Sequence, residues 1–377
     1  MKRFRIDSTI IVLGILILSL IVCAILVATV GRNFLSPGNI RDILTGMSVL
    51  GLVAIGQTLV VLGASLDLSV TYVISLSSLL AATIMNGSAG NIPVAVAVTL
   101  LVCAAIGLVN GLIVTVLKVN GFIATLGVGL ILQGLLNTNF EGSSGSVPWE
   151  FQLIGATGVG PVPVSTIIMI VLAVITWFLL NRTRTGAHLY AVGGDPEIAR
   201  LSGVRTRPPL IAAHVLCSVF AGLAGLLLAS RLGVGSPTVG QQGGYALLSI
   251  AAVVLGGTLL LGGRGSIWGA IGGVAILAVV DNVMSVMQVN PFLKDVVRGL
   301  VIVAAVAVYS RRSIATRRPR FGAGCTRTGG DDAAKAAEAE MAAAASQLET
   351  TSQLDDSAPS AAASQRDTNI ATEGGRA

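Results

Sequence analysis

From Ser8 to Gly31 the chain runs for 24 residues without one charged side chain. A helix rises about 1.5 Å per residue, so about 20 apolar residues cross a hydrocarbon core about 30 Å thick. Comparable stretches follow near 43–64, 68–86, 92–117, 121–137, 164–180, 209–230, 245–262, 266–288 and 292–309. In lipid every backbone N–H and C=O must find its partner inside the protein, which favours helices for such segments. The sequence therefore predicts an all-α, polytopic membrane protein with about ten transmembrane helices. The first stretch follows Lys2, Arg3 and Arg5. It is too long for the apolar core of a signal peptide, and no small-x-small cleavage pattern follows it. The stretch at 121–137 is short, and only the turn at 86–91 divides 68–117. Short, glycine-interrupted segments are a mark of broken helices beside a transport pathway.

Composition excludes the other classes. Hydrophobic residues make up 53% of the chain and charged residues 11%, against about 25% charged in a soluble domain. A soluble globular enzyme and a disordered chain are both ruled out. Four cysteines without a CxxC pair do not make a disulfide scaffold. Charge divides the chain in two: residues 1–320 carry a net charge of +11 and residues 321–377 a net charge of −5. The first part is read as the membrane domain, with a long loop at 181–208. The second, rich in Ala, Ser, Thr and acids, is expected to be a disordered cytosolic tail. No lysine-rich stripe with interleaved aromatics argues for nucleic acid; the partner surface is lipid.

Ten spans place both termini on one side. With that side inside, fifteen of the twenty Lys and Arg of residues 1–320 fall on internal segments and five outside (Arg32, Arg41, Arg231, Lys294 and Arg298). This is a strong positive-inside bias, and it predicts a multi-pass membrane protein with cytoplasmic termini. Gly107-x3-Gly111, Ala221-x3-Gly225 and Gly269-x3-Gly273 are expected to let helix backbones pack closely within the molecule. Val119-Asn120-Gly121-Phe122-Ile123 is similar to Val289-Asn290-Pro291-Phe292-Leu293, on opposite sides, as in two inverted repeats. Val60-Val61-Leu62-Gly63 also matches Val253-Val254-Leu255-Gly256, but on one side, so the two matches imply different symmetries.

The chain has no chemistry of its own for hydrolysis. None of its four lysines follows a glycine, so it holds no P-loop lysine. Its two histidines, His188 and His214, form no HExxH and no Cys/His cluster, so no metal and no bound cofactor is expected. Polar groups inside spans are functional candidates because burying them is costly. Gln57, Asp67, Asn110, Asn120, Asp281 and Asn282 are the candidates for a translocation pathway. Asp281 alone is thin support for an ion-coupled transporter, and its other reading is a carboxylate hydrogen-bonded between helices. Arg264 and Arg298 read as interfacial anchors.

The loop at 181–208 is the most informative segment. Asp195 suits an N-cap, Pro196 the first helical position, Glu197 the positive helix end and Gly203 the C-cap. A short helix over 195–203 follows, with Ile198 and Leu201 on one side. So short a helix needs support from its own loop or from a partner's groove.

This loop resembles the E-x-A-x3-G coupling segment of bacterial ATP-binding cassette importer permeases, with Glu197, Ala199 and Gly203 in the matching places. The rest of residues 40–310 resembles the monosaccharide branch of those permeases, which imports ribose, xylose, arabinose and galactose. Gly63-Ala64-Ser65-Leu66-Asp67-Leu68-Ser69-Val70 is similar to its G-G-I-D-L-S-V-G signature. Asn110-Gly111-Leu112-Ile113-Val114-Thr115 and Phe122-Ile123-Ala124-Thr125-Leu126-Gly127 are similar to N-G-x-x-V-T…P-F-I-x-T-L-G. Ile250 to Thr258, with Gly262-Gly263-Arg264-Gly265, is similar to I-A-A-V-V-L-G-G-T…G-G-x-G. Four departures leave the cargo open: Ala246 and Leu248 where acids are common, Asp281 in an Asn pair, Gly121 for proline, and Thr71 for glycine.

The resemblance implies a transport subunit of the bacterial inner membrane that is not itself an enzyme. It implies docking by Asp195, Pro196, Glu197, Ala199, Arg200 and Gly203 to a cytosolic ATPase that uses the ATP. It also implies an extracytoplasmic solute-binding protein and a second permease subunit, identical or different. The alternatives are a permease of the same kind for a nucleoside, branched-chain amino acid or sugar-like signal, an ion-coupled secondary transporter, and a membrane receptor using its tail as output.

Overall fold

The computed structural model describes residues 8–29, 31–290 and 292–300. The expected tail at 321–377, the second half of the tenth stretch and the basic residues 2, 3, 5 and 311–320 lie outside the described residues. Among the described residues the fold is all-α apart from one hairpin of two-residue strands, β1 Gly158–Val159 paired with β2 Val162–Pro163. Its long apolar helices are α1 Ser8–Thr29, α2 Pro37–Leu62, α4 Ile92–Thr115, α5 Gly121–Asn139, α7 Val164–Arg182, α10 Arg207–Leu232 and α13 Ile267–Val286. Two shorter apolar helices, α3 Val70–Met85 and α12 Tyr245–Leu255, occupy the expected third and eighth stretches. Residues 292–300, which open the tenth, are helical. The connectors add α6 Trp149–Ala156, α8 Arg184–Gly194, α9 Pro196–Leu201 and α11 Val239–Gln242.

Several boundaries differ from the sequence expectation. Helix α2 starts at Pro37, six residues before the apolar stretch. Ser36 caps it by accepting from Asn39 N–H, and Pro37 sits where no amide donor is needed. Arg41 and Asp42 had masked this start in an apolar window. The eighth stretch is not one helix: α12 ends at Leu255, and an irregular segment at 256–266 precedes α13. The loop at 181–208 contains α8 as well as the expected short helix. Helix α8 buries Leu189 and Val192 on one side, which hydropathy alone does not reveal.

Helix α10 is the centre of the bundle and packs on α2, α3 and α4. Helix α2 is buried without interruption from Ser48 to Leu62. Helices α4, α5 and α7 turn large apolar side chains outward, Leu101, Ile131 and Phe178 among them. Lipid solvates such a face, so helix association here rests on close packing and interhelical polar contacts. The small residues supply that packing within the molecule, as expected. A Cβ on Gly107 would sit 2.6 Å from the His214 carbonyl, and one on Gly111 2.9 Å from Ile211 Cα. Gly225 lies on the Ile74 carbonyl, and Gly269 and Gly273 lie on the carbonyls of Gly256 and Ala252.

The two short sequence matches have local structural meaning. Asn120 Oδ1 accepts from Phe122 N–H at 2.9 Å, and Asn290 Oδ1 from Phe292 N–H at 2.9 Å. Each asparagine therefore starts a helix in the same way. The other match ends one. Ser65 N–H bonds to Val60 O at 3.1 Å and Ala64 N–H to Val61 O at 2.9 Å. Thr258 N–H bonds to Val253 O at 3.1 Å and Gly257 N–H to Val254 O at 2.9 Å. Both are six-to-one helix terminations with a left-handed residue, Ala64 or Gly257.

Candidate functional site

The sequence candidates fall into three places. The first is the loop between α8 and α10. Asp195 Oδ1 accepts from Glu197 N–H at 2.9 Å and from Ile198 N–H at 3.0 Å, which caps α9. At the other end Gly203 N–H bonds to Arg200 O and Val204 N–H to Ala199 O, both at 3.0 Å, with Gly203 at φ +80°. Arg200 bonds Glu197 Oε1 at 2.6 Å and holds its carboxyl below the usual carboxylate range. Both side chains are exposed, so the pair adds little stability. Ala199 is buried against the loop, whereas Ile198 and Leu201 are 63% and 76% exposed. The helix is thus held by its caps and presents an apolar edge.

Replacing Asp195 by Ala removes both cap bonds. It should destabilise α9 by about 1 kcal/mol. Amide hydrogen exchange at residues 197 and 198 should then rise about fivefold. Unchanged exchange would show that the cap does not hold the helix.

Three elements meet beneath α9. A Cβ on Gly193 would fall on the Leu62 carbonyl. Gly263 N–H bonds to that carbonyl at 2.9 Å. A Cβ on Gly262 would lie 2.6 Å from Gly193 O and 2.8 Å from Ala64 N. Tyr190 Oη donates to Gly265 O at 3.0 Å. The end of α8, the end of α2 and the irregular segment before α13 therefore touch backbone to backbone.

The second place is a buried polar network on the non-helical segment 63–69. Asp67 and His214 have no exposed surface, and neither do Gln57, Ser69 and Asn110. Asp67 Oδ1 accepts from Ser69 N–H at 3.0 Å and Ser69 Oγ–H at 2.6 Å. Asn110 Nδ2 donates to Ser69 Oγ at 2.8 Å. The Gln57 amide, oriented by its partners, donates to Asp67 O and accepts from Asp67 N–H, both at 3.2 Å. Thr125 Oγ1 accepts from Leu68 N–H at 3.1 Å. His214 Nδ1 stands 3.7 Å from Asp67 Oδ2, and its Nε2 3.2 Å from Ser65 Oγ. Three pathway candidates, Gln57, Asp67 and Asn110, are thus brought together. Asp67 is sealed inside the bundle instead of facing an aqueous boundary. His214, Ser65, Ser69 and Thr125 were not among the pathway candidates; the last three lie in the signature-like segments that could have pointed to them, whereas His214 is a single polar residue in an apolar stretch with no spacing signal.

The third place is a pocket of about 500 Å³ at the opposite end of α2, α10 and α13. Asp281 and Asn282 line it with Arg32, Asp42, Arg231, Tyr245 and Arg298. Arg298 donates to Asp281 Oδ1 from Nε at 3.1 Å and from Nη2, and to Asp295 at 3.0 Å. Arg298, read from the sequence as an interfacial anchor, is also the ion-pair partner of Asp281, and both line the pocket. The Asn282 Oδ1 atom is buried and has no hydrogen-bond partner among the described residues. Asn120 joins neither group; it is exposed and caps α5. Among the described residues no group of three His, Cys, Asp or Glu could hold a metal.

A family model described as "Branched-chain amino acid transport system / permease component" matches residues 39–306. The chain is 38% identical over 301 residues to the ribose import permease protein RbsC of Escherichia coli K12, covering 78% of this chain and 93% of that protein. It is 33% identical over 292 residues to the D-allose transport system permease protein AlsC of the same strain, covering 76% and 89%. It is 34% identical over 298 residues to the galactose/methyl galactoside import permease protein MglC of Haemophilus influenzae, covering 74% and 88%. No solved structure matches the chain.

Proposed function

The chain belongs to the permease-component family of branched-chain amino acid transport systems, and from that premise we propose that it is the membrane-spanning subunit of an ATP-binding cassette importer for a monosaccharide. The observation that carries this reading is α9: capped at both ends, with Ile198 and Leu201 exposed. An exposed apolar edge on a short fixed helix suits a groove on another protein. That protein is a cytosolic ATPase, docked through Asp195, Pro196, Glu197, Arg200 and Gly203 and the exposed Ile198 and Leu201; Ala199, expected among the docking residues, is buried and holds α9 to its own loop. The α9 end is then cytoplasmic, and the pocket lined by Asp281 and Asn282 opens on the outer side of the inner membrane.

An extracytoplasmic binding protein delivers the solute there, and a second permease subunit completes the pathway. The arginines, carboxylates, Asn282 and Tyr245 of the pocket are donors and acceptors of the kind that sugar hydroxyls need. The names of the relatives, for ribose, allose and galactose, support the sugar class. ATP-driven closure of the ATPases moves α9, and the bundle rocks between outward-open and inward-open states. The Arg298–Asp281 pair weighs against an ion-coupled carrier, because that carboxylate is already compensated.

Purification of the chain from its own membranes in mild detergent tests the reading. An ATPase with a P-loop should come with it and should be lost on substituting Glu197 and Gly203. A chain that comes alone, and that transports after reconstitution without ATP, would overturn it.

A further inference from the structure

The buried network holds two polar atoms that face each other without a bond. Asp67 Oδ2 and His214 Nδ1 are both sealed from solvent and, among the described residues, have no hydrogen-bond partner; they stand 3.7 Å apart. Leaving a charged acceptor unpaired in the interior costs more than leaving a neutral one. Among the described residues no lysine or arginine pairs with Asp67. Helices α4 and α5 contain no charged residue, and those of α2, Arg41 and Asp42, stand near its far end. Among the described residues the imidazole is the ionisable group that stands at ion-pair distance from the carboxylate, 3.7 Å away.

The other side of the ring supports this. With Nε2 at 3.2 Å, the Ser65 hydroxyl can donate to it. The ring proton then belongs on Nδ1, aimed at Asp67 Oδ2. Ser65 and Asp67 both lie on the non-helical segment 63–69, while His214 belongs to α10. One ring therefore meets that segment at two points, bonded at Ser65 and 3.7 Å from Asp67.

We propose that His214 is a positioning residue for Asp67: it closes on the free carboxylate oxygen and latches segment 63–69 onto α10. Ser65, one of its two contacts, adjoins Ala64, which lies against Gly262. The latch therefore ties the end of α2 to α10 as well as to the segment before α13.

Asparagine and glutamine separate the two ring nitrogens. The amide of Asn reaches the place of Nδ1, and that of Gln the place of Nε2. His214→Asn should keep the donor to Asp67, and uptake per molecule of inserted protein should stay within about threefold of the parent. His214→Gln should lose about tenfold, as expected for one orphaned buried acceptor. A residue that only filled space would give the reverse order, since Gln is nearer to His in size.

The Tm of the purified chain in detergent, read without solute or ATPase, should follow the same order. That measurement does not rest on the importer reading, so the two can fail separately. Asp67→Asn added to His214→Gln removes the lone buried charge and should recover the Tm. Parental behaviour of His214→Gln, an advantage over His214→Asn, or no recovery in the double variant would overturn the proposal.

Discussion

Proline in place of Gly203 is expected to abolish solute uptake while the chain still reaches the membrane. Gly203 ends α9 at φ +80°, and its N–H bonds to Arg200 O at 3.0 Å. Proline fixes φ near −65° and has no N–H, so it removes both the conformation and the bond. Val204, which closes onto Ala199 O, must then leave as well. A helix of six residues has no other source of order than its caps and the burial of Ala199. The spans are untouched, because a Cβ at Gly203 meets nothing within 4 Å. ATP hydrolysis by the partner should continue at its uncoupled rate as uptake falls by at least about a hundredfold, the scale of about 3 kcal/mol. Coupled uptake in this variant would remove α9 as the point of docking.

That site was legible in the sequence because each part of it is a local rule. Asp195, Pro196 and Gly203 announce a start and a stop by residue type and spacing alone. The apolar stretches were legible for the same reason, since charges cannot enter them cheaply. What stayed hidden depends on distant pairings or on breaks that hydropathy does not see. His214 meets Ser65 across 149 positions. The end of α12 at Leu255 falls inside an apolar run, and only Gly256-Gly257 marks it. Helix α8 escaped because it is only weakly apolar overall: its burial is confined to one side, at Leu189 and Val192, and a search for apolar stretches passes over it.

The second large effect is expected from the smallest substitution, Gly193→Ala. Its added methyl would fall on the Leu62 carbonyl, with Gly263 N 2.9 Å away. Both neighbours are backbone, and backbone cannot rotate aside as a flexible side chain can. Either the end of α8 lifts away from α2, or the bond from Gly263 N–H to Leu62 O breaks. Overpacking of this kind costs about 1–3 kcal/mol and sometimes more. The junction disrupted in either case joins the α9 loop to α2 and to the segment before α13, so transport should suffer more than assembly. Uptake should fall at least about tenfold with the partner ATPase still bound. Gly194 is the internal control: a Cβ there meets nothing within 4 Å, and Gly194→Ala should stay within about twofold of the parent. Two adjacent glycines with the same chemistry and opposite outcomes would locate the path of movement at Leu62. Equal effects of the two substitutions would instead place that path elsewhere in the bundle, through α10.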